Sequence, residues 1–198
     1  MYIQKGTKEE ITKMNNKIKQ MVYAGLLTAL AIIIPIQFGF LKIIIPPFTA
    51  TLAAHVPMML AMLISPVVAV VVGVGSTIGF LISGTPAPVV ARAATHIIVG
   101  YVGARIIMSN QSYIKAAIIT APIHGILEML VVIPFIGFNV YQLLIVTAVG
   151  TILHHAADST IAYAIVKAVA KARNKDIYNV FGEFRNDNED LLVGNSKI

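Results

Sequence analysis

Residues 113–133 read YIKAAIITAPIHGILEMLVVI, an almost unbroken apolar run that has Lys115 near its start and two ionisable side chains, His124 and Glu128, in its interior. A helix that crosses a bilayer needs about 20 mostly apolar residues, so this stretch predicts a membrane span. Membrane strands alternate apolar and polar residues over about ten positions, and this run does not. The stretch therefore indicates a helical membrane protein with polar groups inside the bilayer.

The rest of the chain has the same character. Of its 198 residues, 57% are hydrophobic, 12% are charged and none is cysteine, whereas soluble proteins carry roughly 25% charged residues. This composition excludes an ordinary soluble enzyme, a disulfide-stabilised scaffold and a disordered chain. The formal net charge of +6 does not indicate nucleic-acid binding, because the basic residues flank apolar segments instead of forming one soluble face.

Proline, glycine and polar breaks divide the middle of the chain into six apolar segments. We therefore predict an all-α polytopic membrane protein, a bundle of six transmembrane helices, and we consider strands unlikely. The predicted spans are Met21–Ile36, Phe48–Ile64, Val67–Ile82, Pro88–Met108, Tyr113–Ile133 and Tyr141–Ala170.

Basic residues orient this predicted bundle. Lysines crowd the N-terminal segment and the end of the sixth span, and Arg105 and Lys115 flank the turn between spans four and five. Cytoplasmic loops carry an excess of lysine and arginine, so both termini are predicted to be cytoplasmic in a bacterial plasma membrane. The opposite loops hold only Lys42 as a charge.

Two polar segments flank the predicted transmembrane substrate-binding domain, residues 21–170. Residues 1–20 form a basic segment in which Ile11, Met14, Ile18 and the adjoining Met21 recur at steps of three and four. This pattern is typical of a short amphipathic helix on the cytoplasmic leaflet, although a frayed tail is an equal alternative. Residues 171–198 are mixed in charge and are predicted to be a disordered cytoplasmic tail.

An ionisable residue inside a membrane is costly and is a functional candidate, with a structural role as the alternative. Five such residues from three spans are predicted to lie at similar depth in the outer half: His55, Arg92, His96, His124 and Glu128. Arginine can hold a carboxylate through two hydrogen bonds, so Arg92 is a candidate clamp for an anionic ligand. Pairing of Arg92 with Glu128 would instead favour a structural salt bridge.

His154, His155 and Asp158 are predicted to lie deeper, in the cytoplasmic half of span six. The four-residue spacing of His154 and Asp158 favours a hydrogen bond over a metal site, and no H-E-x-x-H motif is present. We therefore predict no metal and no cofactor. An intramembrane metal-dependent hydrolase built on these residues, or a structural subunit whose polar groups only join helices, remains a less favoured alternative.

Small residues form a second pattern. Ala24 and Thr28, and likewise Gly25 and Ala29, lie four apart in span one, a spacing that lets another helix approach closely. No G-x-x-x-x-G-K-[ST] motif occurs, so the chain shows no means of using ATP.

Several motifs together resemble the substrate-binding S components of energy-coupling factor (ECF) transporters, most closely the niacin-type branch. The resemblance covers about residues 20–170. The matching motifs are Phe48-Thr49-Ala50-Thr51-Leu52-Ala53-Ala54-His55-Val56-Pro57, Ile64-Ser65-Pro66, Arg92-Ala93-Ala94-Thr95-His96, Ile123-His124-Gly125-Ile126-Leu127-Glu128, Val131-Val132-Ile133-Pro134 and Gly150-Thr151-Ile152-Leu153-His154-His155.

The resemblance implies a non-enzymatic transporter subunit that binds a small water-soluble vitamin at its outer face, with niacin favoured over pantothenate, pyridoxine or a hydroxymethylpyrimidine. It implies a separate transmembrane scaffold subunit, two cytoplasmic ATPases, and inward delivery by toppling of the loaded subunit in the membrane. Family members dock through an alanine motif in the first helix. The corresponding positions are Ala24, Gly25, Thr28 and Ala29, where the pattern is degenerate.

The expected vitamin site is the outer cluster together with Phe48. The apolar segment from Phe38 to Phe48 is predicted to be a lid, with simple anchoring at the membrane surface as the alternative. Phe38, Phe40 and Phe48 are candidates for stacking on a flat ring such as a pyridine.

Overall fold

The computed structural model describes residues 2–181, without the side chains of residues 2–9, 12 and 13. Nearly all of this part of the chain is helical, and one short β-hairpin interrupts it. In chain order the elements are α1 (Tyr2–Gln37), a 3-10 turn (Gly39–Leu41), β1 (Lys42–Ile45), β2 (Phe48–Thr51), α2 (Val56–Met62), α3 (Pro66–Ile82), α4 (Ala87–Ala94), α5 (His96–Asn110), α6 (Tyr113–Ile136), a π-helical segment (Tyr141–Val149) and α7 (Gly150–Ala172).

Four helical stretches are long and apolar enough to cross a membrane: Met14–Gln37, Ala87–Asn110, Tyr113–Ile136 and Tyr141–Ala172. This confirms the predicted class, an all-α polytopic membrane protein. Helix α3 is apolar but has only 17 residues, and α2 has 7. The count of six spans therefore stays a prediction.

The second predicted span, Phe48–Ile64, is wrong in its first half. Its first four residues form β2, which pairs antiparallel with β1, with Ile45 opposite Phe48 and Lys42 opposite Thr51. The expectation that strands are unlikely is therefore wrong for this hairpin. Three isoleucines precede Pro46-Pro47, and Phe48, Thr49 and Thr51 follow them; β-branched and aromatic residues fit a pleated strand, and proline opposes helix formation.

Only the second half of that span is helical. Asp158 accepts hydrogen bonds from the backbone N–H groups of Ala53 at 2.8 Å and His55 at 3.0 Å, which holds the turn between β2 and α2. Ala53 has a φ of 69° there, a left-handed conformation that is uncommon for a residue with a side chain. Helix α2 then runs into the bundle, where Met58, Met59 and Leu63 are fully buried.

Helix α1 is unbroken from Tyr2 to Gln37. Within the described residues, the basic N-terminal segment is therefore part of the same helix as the first span. The apolar residues that define its amphipathic pattern, Ile11, Met14, Ile18 and Met21, are exposed on this helix.

The predicted disordered tail, residues 171–198, is ordered in its first part. After α7 ends, Val180 and Phe181 are buried against the core, and the Phe181 ring packs edge-on against Tyr23 at 5.4 Å. Arg173 donates from Nη2 to the Tyr23 hydroxyl at 2.9 Å. Residues 182–198 lie outside the described residues.

Close helix packing in the bundle depends on two glycines of α3. A Cβ placed on Gly75 would lie 2.4 Å from the Thr28 side chain, and one on Gly79 would lie 2.7 Å from the Ile32 backbone of α1. Glycine is therefore required at these positions for α1 and α3 to approach. This contact holds α1 beside α3, the helix that carries Ser76, whose hydroxyl contacts His96.

Candidate functional site

The five histidines of the chain form one group at the hairpin end of the bundle. Their rings surround His55, whose centroid lies 4.6 Å from His96, 4.8 Å from His124, 4.4 Å from His154 and 6.1 Å from His155. We call this group, together with Arg92, Glu128 and Asp158, the polar cluster. Its members come from the β2–α2 turn and from α4, α5, α6 and α7.

The predicted separation of an outer group from a deeper His154–His155–Asp158 group is wrong. The last span is 32 residues long, and its two histidines lie in its first half, level with His55. The π-helical segment lengthens this span beyond the usual 20 or so residues. The predicted bounds, Tyr141–Ala170, were nearly the same, and the error was to assign His154 and His155 to the cytoplasmic half of this span.

Arg92 and Glu128 form a buried ion pair. The Arg92 Nε and Nη2 atoms each lie 2.7 Å from Oε2 of Glu128. Arg92 also reaches the hairpin, because Nη2 donates to the Thr49 carbonyl at 3.1 Å and Nη1 lies 3.5 Å from the Thr49 hydroxyl. Its guanidinium carbon stands 4.9 Å from the Phe48 ring centroid. The salt bridge between Arg92 and Glu128, which the sequence analysis gave as an alternative, is therefore present.

Two further groups contact Glu128. The Thr151 hydroxyl donates to Oε2, and His124 Nε2 lies 3.2 Å from Oε1. All partners of this carboxylate named here are side chains, one each from α4, α6 and α7.

Asp158 is arranged differently. Besides the two backbone N–H groups of the turn, its Oδ2 lies 3.0 Å from His55 Nδ1 and 3.2 Å from His154 Nε2. The predicted contact between His154 and Asp158 is confirmed, whereas the contact with His55 was not predicted.

The remaining histidine contacts involve hydroxyl groups, a backbone carbonyl and a second histidine. His154 Nε2 lies 3.1 Å from the Thr51 carbonyl. His96 Nδ1 lies 2.8 Å from the Ser76 hydroxyl, and His155 Nε2 lies 3.1 Å from the Thr120 hydroxyl. The Nδ1 atoms of His124 and His155 are 3.2 Å apart. His124 Nε2 is buried without a hydrogen bond among the described residues.

A cavity of about 20 Å³ lies within the polar cluster, room for about one water molecule. Four predicted ligand residues line it: His55, Arg92, His96 and Glu128. The predicted ligand residue His124 does not line it. Phe48 lies under Arg92, and neither Phe38 nor Phe40 lines the cavity.

A second, larger space is an apolar crevice of about 470 Å³ between the hairpin and the last span. Ile43, Ile45 and Phe48 line it on the hairpin side, and Val149 and Leu153 line it on the other. His154 lies at its edge and also lines the small cavity. The hairpin therefore rests against the last span over an incompletely filled apolar surface.

The four predicted docking positions of α1 are divided between two faces. Gly25 and Ala29 are exposed, and the space around Gly25 is open. Thr28 instead packs on Gly75, and Ala24 packs against the core. The exposed pair is available to another helix, whereas the other pair is used within this chain.

Sequence reasoning missed several residues of the site. Thr49 contacts Arg92, Thr151 contacts Glu128 and Ser76 contacts His96. His55 and Asp158 were both named, but their contact was missed. Hydroxyl residues are common in membrane helices, so their presence gives little signal. Thr151 was detectable in principle, since it lies one turn before His154 and His155 in the same span.

Two sets of side chains in the polar cluster have the composition of a metal site. His55, His96, His124 and Glu128 form one set, and His55, His154 and Asp158 form the other. In each set, one potential ligand atom per residue lies within 4.8 Å of all the others. The first set is fully buried.

The long apolar helices and the buried polar cluster define a multi-pass helical protein of the cell membrane. No known family profile matches the chain, and no solved structure matches it. The chain is 35% identical over 192 residues to the niacin transporter NiaX of Lactococcus lactis subsp. cremoris (strain MG1363), covering 87% of this chain and 86% of that protein. It therefore belongs to the family of this niacin transporter, which confirms the resemblance to the niacin-type branch.

Proposed function

We propose that this protein is the S component of an ECF-type importer and captures niacin at the outer face of the membrane. The observation that carries this proposal is the identity to a niacin transporter along nearly the whole chain. The polar cluster supports it, because a cation buried beside a cavity suits an anionic ligand.

Arg92 is the proposed clamp for the nicotinate carboxylate. Its Nη1 atom makes the weakest contact of the guanidinium, 3.5 Å to the Thr49 hydroxyl, and a contact this long is barely a hydrogen bond. A ligand carboxylate would gain two parallel hydrogen bonds along this edge while Glu128 keeps the opposite one. The Phe48 ring below Arg92 provides an apolar surface for the pyridine ring.

Ligand entry requires the hairpin to move. A cavity of about 20 Å³ does not admit a six-membered ring, since it holds about one water. Thr49 lies on the hairpin and contacts Arg92, so a carboxylate on Arg92 competes with the bond that holds the hairpin down. We propose the hairpin as the lid of the site, with the apolar crevice behind it allowing the displacement.

Transport would follow by toppling on a scaffold subunit that works with two cytoplasmic ATPases. The exposed Gly25 and Ala29 of α1 provide a surface on which a partner helix can approach closely. Thr28 and Ala24 would act in this role only indirectly, since they pack inside the chain.

Binding of nicotinate and of nicotinamide to the purified full-length protein tests the vitamin proposal. We expect the wild type to prefer nicotinate and the double variant Arg92→Gln/Glu128→Gln to lose this preference. The paired change avoids an uncompensated buried charge. The matched control is Arg105→Gln, an exposed arginine, which should keep the preference. Equal losses for both ligands would contradict the clamp, and absence of nicotinate binding to wild type would contradict the vitamin proposal.

A pair of spin labels tests the lid. The chain has no native cysteine, so cysteines introduced at exposed Ile44 on the hairpin and Leu81 on α3 label only these sites. Saturating nicotinate should shift or broaden their distance distribution. A control pair at Leu81 and Leu130, both on helices, should be unchanged. An unchanged hairpin distance in protein that binds nicotinate would rule out the lid.

Substitution on α1 tests the docking surface. Ala29→Leu should lower nicotinate uptake by cells that lack their own niacin transporter, without changing nicotinate binding to purified protein. The control is Ala156→Leu, the same change at an exposed alanine of α7. Equal uptake by the two variants would exclude this face of α1 as the docking surface.

A further inference from the structure

Three imidazoles and one carboxylate converge in the polar cluster. His55, His96, His124 and Glu128 are at most 3% exposed, and one potential ligand atom of each lies within 4.8 Å of the other three. Zinc–nitrogen distances are about 2.0–2.1 Å, so the ligand atoms of one tetrahedral ion lie about 3.3–3.4 Å apart. The widest separation in the set therefore has to close by up to about 1.4 Å, shared between the side chains, to reach bonding distance.

The other ring nitrogen of each imidazole already has a neighbour. Nδ1 of His96 lies 2.8 Å from the Ser76 hydroxyl, Nδ1 of His124 lies 3.2 Å from His155, and Nδ1 of His55 lies 3.0 Å from Asp158. In metal-bound histidines the ring nitrogen that does not bind the ion is almost always hydrogen-bonded to a carboxylate or another polar group. His96 and His124 have such a hydrogen bond, and His55 lies at ion-pair distance from a carboxylate. The Nε2 atoms remain for the ion.

A buried atom without a partner points the same way. His55 Nδ1 is buried without a hydrogen bond among the described residues, although it lies 3.0 Å from Oδ2 of Asp158. The same holds for His124 Nε2, which lies 3.2 Å from Oε1 of Glu128. An unsatisfied buried polar atom is costly, and a metal ion would satisfy it. Glu128 can pair with Arg92 and bind a metal ion at the same time. Arg92 and Thr151 contact its Oε2, while Oε1 lies next to His124.

We propose that His55, His96 and His124, together with Oε1 of Glu128, bind one divalent transition-metal ion. Imidazole nitrogens with a single carboxylate suit zinc, cobalt or nickel better than magnesium or calcium, which prefer oxygen ligands. The proposal does not depend on niacin binding, since it rests on the geometry of these four side chains.

Titration of Co²⁺ into the chelator-treated full-length protein, without vitamin, tests this site. Tetrahedral cobalt absorbs strongly in the visible range, so the wild type should develop such a spectrum at a ratio of one ion per chain. His96→Gln and His124→Gln should each abolish the spectrum. Ser76→Ala removes only the group that holds His96 and should weaken binding by about 10-fold, and it keeps the test open if a histidine variant fails to fold.

The matched control is His154→Gln, which changes a histidine of the same cluster outside the proposed ligand set and should retain the spectrum. Absence of the spectrum in wild type would overturn the proposal. Retention of the spectrum in folded His96→Gln would also overturn it. Loss in His154→Gln with retention in His96→Gln would assign the ion to His55, His154 and Asp158 instead. Nicotinate binding is measured separately, so failure of the vitamin proposal is distinguishable from failure of this one.

Discussion

Glu128 and Asp158 are both buried carboxylates of the polar cluster, yet they bind different kinds of partner. Glu128 contacts only the side chains of Arg92, Thr151 and His124 among the partners described above, and it lines the cavity. Asp158 holds two backbone N–H groups of the β2–α2 turn and does not line the cavity.

Because of this difference, Glu128 can exchange a side-chain partner for a ligand, whereas Asp158 cannot exchange its backbone partners. A side chain can rotate away and leave its place to a ligand, whereas a backbone N–H group leaves only if the turn itself unfolds. We therefore infer that the centre at Glu128 serves binding and the centre at Asp158 serves the fold. Burial and charge alone do not distinguish them.

The largest expected effect is that of Asp158→Ala. The change leaves two backbone donors and the neighbouring histidines without their acceptor, and unpaired buried donors each cost about 1–3 kcal/mol. We expect the free energy of unfolding to fall by about 3–5 kcal/mol, measured by denaturant titration in micelles. Asp158→Asn keeps one acceptor oxygen and should cost less. A loss below about 1 kcal/mol for the alanine variant would remove the structural role assigned to Asp158.

The second prediction concerns the Arg92–Glu128 pair. Arg92→Gln alone leaves a buried carboxylate without its cation and should cost about 3 kcal/mol of unfolding free energy. Adding Glu128→Gln should recover part of this loss, because the second change removes the uncompensated charge. A double-mutant cycle measures the coupling. Strictly additive losses would mean that the two groups do not interact as a pair.

A smaller effect is expected for Thr151→Val, which removes the hydroxyl that donates to Glu128. Hydrogen bonds to charged groups contribute about 1.5–3 kcal/mol. Thr147→Val is the control in the same span, because the buried Thr147 hydroxyl donates to the neutral carbonyl of Gln142 at 2.9 Å. The Thr151 variant should lose more stability than the control. The reverse order would argue that Glu128 is not the acceptor.

The smallest effect is predicted for Thr49→Val. Its hydroxyl lies 3.5 Å from Arg92, while the stronger contact at 3.1 Å is to the backbone carbonyl, which the substitution keeps. We expect a change in unfolding free energy within about 0.5 kcal/mol. A larger destabilisation would show that the hydroxyl, and not only the carbonyl, connects the hairpin to the ion pair.

Sequence patterns predicted the class of fold and singled out every member of the polar cluster, but they predicted few of the contacts between them. The four-residue spacing of His154 and Asp158 identified a contact within one helix, because neighbouring turns fix that geometry. The contact of Asp158 with His55 joins residues more than a hundred positions apart, and no local spacing encodes it. The same limitation applies to Ser76 with His96 and to Thr49 with Arg92.

The hairpin shows why the remaining part of the fold was missed. Phe48–Ile64 is apolar enough for a membrane helix, and hydropathy does not distinguish a buried strand followed by a short helix from one continuous span. The capping of the turn by Asp158, far along the chain, fixes where α2 begins.

By itself, the sequence determined that this protein lies in a membrane and that its helices are apolar. It also determined that most charged residues lie outside the predicted spans and that only a few lie within them. Length, hydropathy and charge are properties of each segment, and a membrane helix satisfies its backbone hydrogen bonds within its own segment. These features can therefore be predicted one segment at a time. Only the tertiary structure decided that all five histidines form one group, that Glu128 pairs with Arg92 while Asp158 holds a turn, and that a hairpin covers them. These features depend on contacts between distant segments, which exist only once the helices have packed.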